Sequence, residues 1–376
     1  MDAFVKDRRK NLLSLGLIFL VLALTLIFLM KDRQLSELFG LLRQADPRWL
    51  LAGLGAMALF FGLEALCLGS LTRQLGFRAS PRRCYAYSLI DFYFSSVTPG
   101  CCGGQPSLIY FMHRDGIPPG VSSLALLSFN LSYHWAALLL LGGSILGMGL
   151  RRLGEMGAIK YFLLYGAAAQ LFLALAFLIL VFSPKLAPAL VRGLCGLLLR
   201  LRLIRDKDRA LAALQEQTAH YQAGGAFMKK HPAAVLRLLA AALLHLFAYY
   251  SMVYWVYRAF GLEGTGFWTL VAMQTLLVLS VESLPVPGGV GIMEGAFVLH
   301  YAGVFGPELV LPAMLLLRGL TYYFWLPAGG LTAAVCLGRA CAPPEGKRGG
   351  GFSPHRPVCR TPSHFAPRKA EYDSSF

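Results

Sequence analysis

The sequence predicts an all-α polytopic membrane protein with about six full transmembrane helices and two re-entrant helical hairpins, arranged as an inverted repeat. Three observations lead to this fold class. Of the 376 residues, 56% are hydrophobic and only 14% are charged, whereas soluble domains carry about 25% charged residues. Several apolar runs reach the roughly 20 residues that cross a bilayer. Two glycine-rich breaks interrupt the apolar sequence, one in each half of the chain.

Six apolar runs are long enough to be full spans. They are residues 11–30, 48–70, 121–150, 159–182, 232–260 and 309–337. The first run is too long for a removed signal peptide and lacks its small-residue cleavage pattern, so we interpret it as an anchor. We expect one transmembrane domain over 1–340 and a disordered, basic cytoplasmic tail over 341–376. The polar connection 184–231 is expected to form amphipathic surface helices.

Charge predicts the orientation of these spans. Basic residues are concentrated in the 71–83 and 184–231 loops and near both termini, and such segments remain cytoplasmic. We therefore expect a multi-pass protein of the cell membrane with cytoplasmic N- and C-termini. The net charge of +16 does not indicate nucleic-acid binding, because no basic stripe is interleaved with stacking aromatic residues.

The same topology predicts the inverted repeat. A span, a short hairpin and a second span follow one another in each half, and the two units have opposite orientations. Such repeats are typical of transporters whose substrate site lies near the bilayer midplane. Chance Pro-Gly kinks in ordinary helices are the alternative.

The two breaks are PGCCGGQ (99–105) and PGGVGIME (287–294). Non-helical backbone in hydrocarbon leaves N–H and C=O groups unpaired, at a cost of several kcal/mol each, unless protein or water satisfies them. We therefore expect both breaks to line a cavity. Free N–H groups at the start of each following half-helix would suit an anion such as a lipid phosphate. Close helix packing by small residues is the alternative for any single glycine.

Ionisable residues inside apolar runs are the other candidates, since they usually face a protein interior or a cavity. They are Glu64, Asp91, Glu282 and Glu294, and Arg318 is expected to pair with one of the last two. Whether that pair serves structure or substrate is left open. The candidate lipid headgroup-binding residues are Gly100, Gly103, Gly104, Gln105, Arg114, Glu282, Gly288, Gly289, Gly291, Glu294 and Arg318.

Catalytic and metal-binding motifs are absent from the sequence. It contains no GxSxG, HExxH or Walker A motif, and its eight cysteines do not have metal-ligand spacing. We therefore expect no catalytic residue, metal or cofactor. His134 and His245 are interpreted as hydrogen-bonded structural residues.

The segments around the breaks carry a family resemblance. SSVTPGCCGGQPSLIYFMHRDG (95–116) and SLPVPGGVGIMEGAFVLHYAGV (283–304) resemble the two motifs of the flippase-like transmembrane region of lysylphosphatidylglycerol synthases, over about residues 8–340. The resemblance implies translocation of a membrane phospholipid such as an aminoacyl-phosphatidylglycerol, and resistance to cationic peptides. Gln105 stands where the family pattern has Glu, and Cys101 where it has Gly.

The resemblance leaves three hypotheses. Full-length synthases carry an aminoacyl-transferase domain after the membrane region, and only about 39 residues follow the last predicted span here. The first hypothesis is therefore a lipid transporter served by a separate lipid-modifying enzyme. The second is a phosphatidylglycerol lysyltransferase-type, membrane-embedded enzyme. The third is a non-transporting membrane partner that docks another protein through 184–231. The sequence leaves the oligomeric state open.

Overall fold

The computed structural model describes residues 40–155, 159–183 and 232–338, together with single positions between 186 and 230. These residues form helices and connecting turns, with no β-strand among them, which confirms the all-α prediction. The helices are α1 Pro47–Gln74, α2 Pro81–Val97, α3 Gly104–Arg114, α4 Pro119–Glu155, α5 Ile159–Phe182, α6 Pro232–Tyr250, α7 Met252–Ala259, α8 Phe267–Glu282, α9 Ile292–Arg318 and α10 Trp325–Gly338.

Five of the described helical segments are long and apolar enough to cross a membrane. They are Pro47–Gln74, Pro119–Gly147, Lys160–Phe182, Pro232–Ala259 and Pro287–Gly338. The first four correspond to predicted spans, and the fifth joins the second break to the last predicted span. The predicted span 11–30, most of the 184–231 connection and the tail 341–376 lie outside the described residues. The total of six spans and the inverted repeat stay predictions.

Local sequence determines where the first helices begin. The Asp46 side chain accepts a hydrogen bond from the N–H of Arg48 at 2.9 Å, directly before α1. Ser80 caps α2 in the same way, through the N–H of Arg83 at 3.3 Å. A proline follows each capping residue, and proline suits the first helical position because its missing N–H would have no partner there.

The helices pack into a bundle that exposes large apolar side chains. Helices α4 and α6 pack against each other and against both α1 and α8, and α10 lies along α2. Large side chains such as Phe61, Tyr250 and Tyr301 are fully buried in the core. Leu51 and Leu171 are exposed, as expected for faces that contact lipid tails instead of water.

Each break joins two antiparallel arms. Arg83 near the start of α2 forms an ion pair with Asp115 just after α3, at 2.8 Å, so the outer ends of these arms meet. In the second hairpin the Tyr301 hydroxyl on α9 donates to Gln274 Oε1 on α8 at 3.0 Å. These two residues lie at similar distances along the chain from the second break. The hairpin geometry is therefore observed, while re-entry into a membrane stays a prediction.

Helix α9 is interrupted near its middle. Gly306 has φ 76° and ψ 165°, which is not helical. Pro307 follows, and because proline fits a first helical turn, the chain resumes the helix at once. Glu308 directly precedes the predicted span 309–337 and is therefore expected in a loop, but it lies in this helix and is exposed. The loop prediction for Glu308 was wrong for this reason.

Candidate functional site

The two breaks contact each other in the folded protein. Each contains a short 3₁₀ turn, Pro99–Cys101 and Pro287–Gly289, with a left-handed glycine inside: Gly100 at φ 60° and Gly288 at φ 58°. A Cβ added to Gly100 would lie 4.0 Å from the Cα atom of Pro285, which precedes the second turn. Segments separated by almost 190 positions in the sequence are thus neighbours in the fold.

A buried ion pair holds the second break. Arg318 Nε donates to Glu294 Oε1 at 2.7 Å, and the two side chains are 4% and 0% exposed. Arg318 Nη2 also donates to the Gly288 carbonyl at 3.1 Å. The Tyr323 hydroxyl donates to Glu294 Oε1 at 3.0 Å. The predicted pairing of Arg318 is confirmed, and its partner is Glu294.

Glu294 also occupies the start of its own helix. Its Oε2 accepts the N–H of Gly291 at 2.6 Å, so a carboxylate of the protein sits where the helix dipole favours negative charge. At the first break the N–H of Gly103 donates to Thr98 Oγ1 at 2.8 Å. These two N–H groups already have acceptors. The phosphate site at the half-helix starts stays a prediction.

Close approach explains two of the glycines. A Cβ on Gly104 would lie 2.5 Å from Asp91 Oδ1. A Cβ on Gly288 would overlap the hydroxyl end of the Tyr322 ring. No other residue fits either position without displacing its neighbour. Gly289 and Gly291, at φ 62° and 88°, complete the turn of the second break.

Glu282 is the accessible acid at this junction. It ends α8, and its side chain is exposed although the preceding residues 270–281 are buried. The Tyr133 hydroxyl of α4 donates to Glu282 Oε2 at 3.0 Å. Tyr249 and Tyr250 of α6 lie within electrostatic range of the carboxylate. In the described part of the chain, no basic side chain forms an ion pair with Glu282.

The first break lies close to Glu282 and has exposed side chains. Cys101, Cys102 and Gln105 are exposed, and Cys101 lies within electrostatic range of Glu282. Cys101 has φ 55°, in the left-handed region that disfavours side chains. Glu282 and the exposed residues of the first break therefore lie near one another.

Arg114 does not belong to this junction. Its guanidinium donates to the Leu337 carbonyl at 3.2 and 3.3 Å, at the end of α10. It lies at the opposite end of α3 from Gly104, about 15 Å away along the helix axis. The structure brings the other candidates to the two breaks and leaves Arg114 near the outer end of the hairpin.

Sequence reasoning did not select the tyrosines of the site. Tyr322 and Tyr323 stack on the Arg318 guanidinium, at 4.3 and 5.6 Å from the ring centroids, within the π-helical turn Gly319–Tyr323. The Tyr250 hydroxyl is buried without a hydrogen-bond partner. Tyrosines within apolar spans could have indicated these residues, because a buried hydroxyl usually needs a hydrogen-bond partner.

The histidines have structural partners, as predicted. His245 Nδ1 lies 2.8 Å from the carbonyl oxygen of Phe60. His134 Nδ1 lies 3.0 Å from Gln170 Nε2. Both rings therefore link neighbouring helices.

Comparison with known proteins gives one informative result. A search of curated proteins finds no match. A family model described as the lysylphosphatidylglycerol synthase TM region matches residues 11–329, a range that contains both breaks, Glu282 and the Glu294–Arg318 pair. The chain therefore belongs to the lysylphosphatidylglycerol synthase transmembrane-region family.

Proposed function

We propose that this protein moves phospholipids with an amino-bearing headgroup, such as an aminoacyl ester of phosphatidylglycerol, between the leaflets of the cell membrane. The observation that carries the proposal is Glu282, an exposed carboxylate at the contact of two broken segments within a bundle of apolar helices. Broken helices that meet inside a membrane bundle are typical of transporter substrate sites.

The charge balance of the junction favours a cationic group. Glu294 neutralises Arg318 in a buried pair, so the accessible charge beside it is the Glu282 carboxylate. Tyr133 donates a hydrogen bond to that carboxylate, and Tyr249 and Tyr250 lie within electrostatic range of it. Carboxylates pair with ammonium groups, and aromatic faces attract them. A headgroup ammonium would thus bind at Glu282, with the acyl chains left in the bilayer.

We further propose a source for the lipid and an orientation for the protein. The aminoacylated lipid would come from a separate lipid-modifying enzyme, and the protein would present it on the outer leaflet, which would reduce binding of cationic peptides. Both termini would be cytoplasmic, in accordance with the basic loops.

The test is lipid exchange between leaflets in proteoliposomes. Vesicles contain labelled lysyl-phosphatidylglycerol or labelled phosphatidylglycerol, and a membrane-impermeant reagent reports the outer leaflet. We expect the protein to accelerate exchange of the lysyl lipid above that in empty vesicles, and above that of phosphatidylglycerol. No acceleration for either lipid would refute the transport proposal, and appearance of aminoacylated lipid in expressing cells would favour the enzyme hypothesis.

Glu282→Gln tests the site. A hydrogen bond to a charged group contributes about 1.5–3 kcal/mol, so we expect exchange of the lysyl lipid to slow by roughly 10- to 100-fold. Glu263→Gln is the matched control, because Glu263 is an exposed glutamate in the loop before α8 that pairs with Arg258 at 2.9 Å. It should behave as wild type. Equal rates for both variants would show that Glu282 does not bind the headgroup.

A further inference from the structure

Helix α10 follows the second break in sequence but packs on the first hairpin. Among the described elements, its extensive contacts are with α2 and with the π-helical turn Gly319–Tyr323 that precedes it. Its buried residues Leu326 and Ala333 lie in the same hydrophobic cluster as Ile90 and Phe94 of α2. Protein interiors are packed as densely as organic crystals, so helices with such contacts move together. By packing, α10 is therefore part of the first hairpin.

Two adjacent glycines bring the backbones of α10 and α2 together. A Cβ added to Gly329 would lie 2.5 Å from the carbonyl oxygen of Leu89 and 2.9 Å from the Cβ atom of Tyr93. A Cβ added to Gly330 would lie 2.9 Å from the Tyr93 ring. Small residues allow membrane helices to approach this closely. Gly329 and Gly330 thus form a tight contact that holds α10 on α2.

The far end of α10 is held by both arms of the first hairpin. The Arg114 guanidinium of α3 donates to the Leu337 carbonyl at 3.2 and 3.3 Å. Arg83 of α2 donates to Cys336 Sγ at 3.5 Å and also forms the ion pair with Asp115 that closes the hairpin. The last carbonyls of a helix lack partners within it, and arginine can satisfy them. The hairpin and α10 are thus joined at two places along α10.

The π-helical turn Gly319–Tyr323 connects α10 to the end of α9. In this turn the N–H of Phe324 donates to the carbonyl of Gly319, five residues earlier, at 3.1 Å. In an α-helix the same N–H would donate to the Leu320 carbonyl, which here accepts from Trp325 Nε1 at 2.9 Å. The Leu320 carbonyl therefore has a donor in either form. Such turns are rare and occur frequently at functional sites.

The same turn contacts the buried ion pair of the second break. It begins directly after Arg318, and the Tyr322 and Tyr323 rings stack on the Arg318 guanidinium. The Tyr323 hydroxyl donates to Glu294 at 3.0 Å. The turn therefore lies between the Glu294–Arg318 cluster on one side and the unit formed by α10 and the first hairpin on the other.

We propose that the first hairpin and α10 form one rigid unit, and that the π-helical turn Gly319–Tyr323 is the hinge on which this unit moves relative to the second break. Trp325 stabilises the π-helical form, because its indole occupies the Leu320 carbonyl. Release of the indole lets the Phe324 N–H bond that carbonyl, and the turn becomes α-helical. The hinge is separate from the headgroup site at Glu282.

Distances between pairs of spin labels test the hinge in the purified protein in lipid nanodiscs. One pair is placed at Leu331 of α10 and Leu299 of α9, and a second pair at Leu331 and Arg82 of α2; all three side chains are exposed. The labels are carried by unnatural amino acids, so the eight native cysteines stay in place. The test variant is Trp325→Phe, which keeps an aromatic ring but removes the donor to the Leu320 carbonyl.

We expect Trp325→Phe to favour the α-helical form of the turn. The distance between the α10 and α9 labels should shift by more than the width of the wild-type distribution, while the distance between the α10 and α2 labels stays as in wild type. The matched control is Trp268→Phe, an exposed tryptophan of α8, which should leave both distances unchanged. An unchanged α10–α9 distance in Trp325→Phe, or an equal shift of both distances, would overturn the proposal.

Amide hydrogen exchange of the wild-type protein keeps the test decisive if Trp325→Phe does not fold. A turn that changes its hydrogen bonds opens more often than its neighbours, so the amides of 319–324 should exchange faster than those of the flanking segments 310–318 and 325–337. Equal protection in the three segments would overturn the hinge. Neither readout requires lipid movement, so failure of the hinge can be distinguished from failure of the proposed transport.

Discussion

Removal of the Glu294 carboxylate should destabilise the protein more than any other single glutamate substitution considered above. In Glu294→Ala, Arg318 loses the acceptor at 2.7 Å, and the N–H of Gly291 loses the acceptor at 2.6 Å. Because Arg318 is 4% exposed, water cannot replace these contacts. Breaking a buried ion pair from one side costs about 3–5 kcal/mol. Since a typical protein is stable by about 5–15 kcal/mol, this loss is large.

The matched control is Glu308→Ala. Glu308 is a glutamate on the same helix, α9, and is exposed, so its replacement should change the free energy of unfolding by about 0.5 kcal/mol. The measurement is unfolding of the purified proteins in detergent, followed by the lipid-exchange assay. We expect Glu294→Ala to impair both stability and exchange more than Glu308→Ala.

A double variant distinguishes the loss of the ion pair from the cost of leaving one charge buried without its partner. Glu294→Gln/Arg318→Met removes both charges while keeping similar volumes, so no isolated charge remains buried. It should therefore be more stable than the sum of the two single variants predicts. Additive single effects, or equal and mild effects of Glu294→Ala and Glu308→Ala, would refute the assignment of a buried pair that holds the second break.

Two further substitutions test the backbone of the breaks. Gly288→Ala should lower the free energy of unfolding by about 1–3 kcal/mol, because φ is 58° and the new Cβ overlaps Tyr322. The control Gly295→Ala should not destabilise the protein, because no atom lies within 4 Å of the added Cβ. Cys101→Gly should raise the free energy of unfolding by about 0.5–1 kcal/mol. Cys101 has φ 55°, so glycine removes a left-handed strain of about 1–2 kcal/mol, and the greater backbone entropy of glycine in the unfolded chain offsets part of this gain. Cys102→Gly should give no such gain, and thermal unfolding in one detergent measures all four variants.

The spans could be predicted because hydrophobic length is a local property. The predicted run 159–182 coincides with α5, Ile159–Phe182. The prediction for 48–70 falls inside α1, Pro47–Gln74, which continues for one further turn, residues 71–74, at its C-terminal end. Bilayer thickness sets such lengths, so a sequence window contains most of the information.

The partners within the site could be predicted only in part. An arginine in an apolar span requires a counter-charge, so a glutamate near the second break was expected for Arg318. Its selection of Glu294 over Glu282 depends on the rotation of α9, which no local pattern specifies. Glu308 illustrates another limit: Gly306 and Pro307 indicate a break, but one break residue can be followed at once by helix.

The two breaks are alike in sequence and unlike in how they are held. In the second, Arg318, Glu294 and Tyr323 satisfy one another in a cluster in which the Arg318 and Glu294 side chains are buried, and such a cluster has one favourable arrangement. In the first, a side chain adopts a left-handed conformation at Cys101, and no basic side chain of the described residues forms an ion pair with the neighbouring acids Glu64 and Asp91. Strain and unbalanced charge lower the cost of rearrangement. If the hairpins move during transport, the first break is therefore expected to move against a fixed second break, and changes at Glu294 are expected to alter stability.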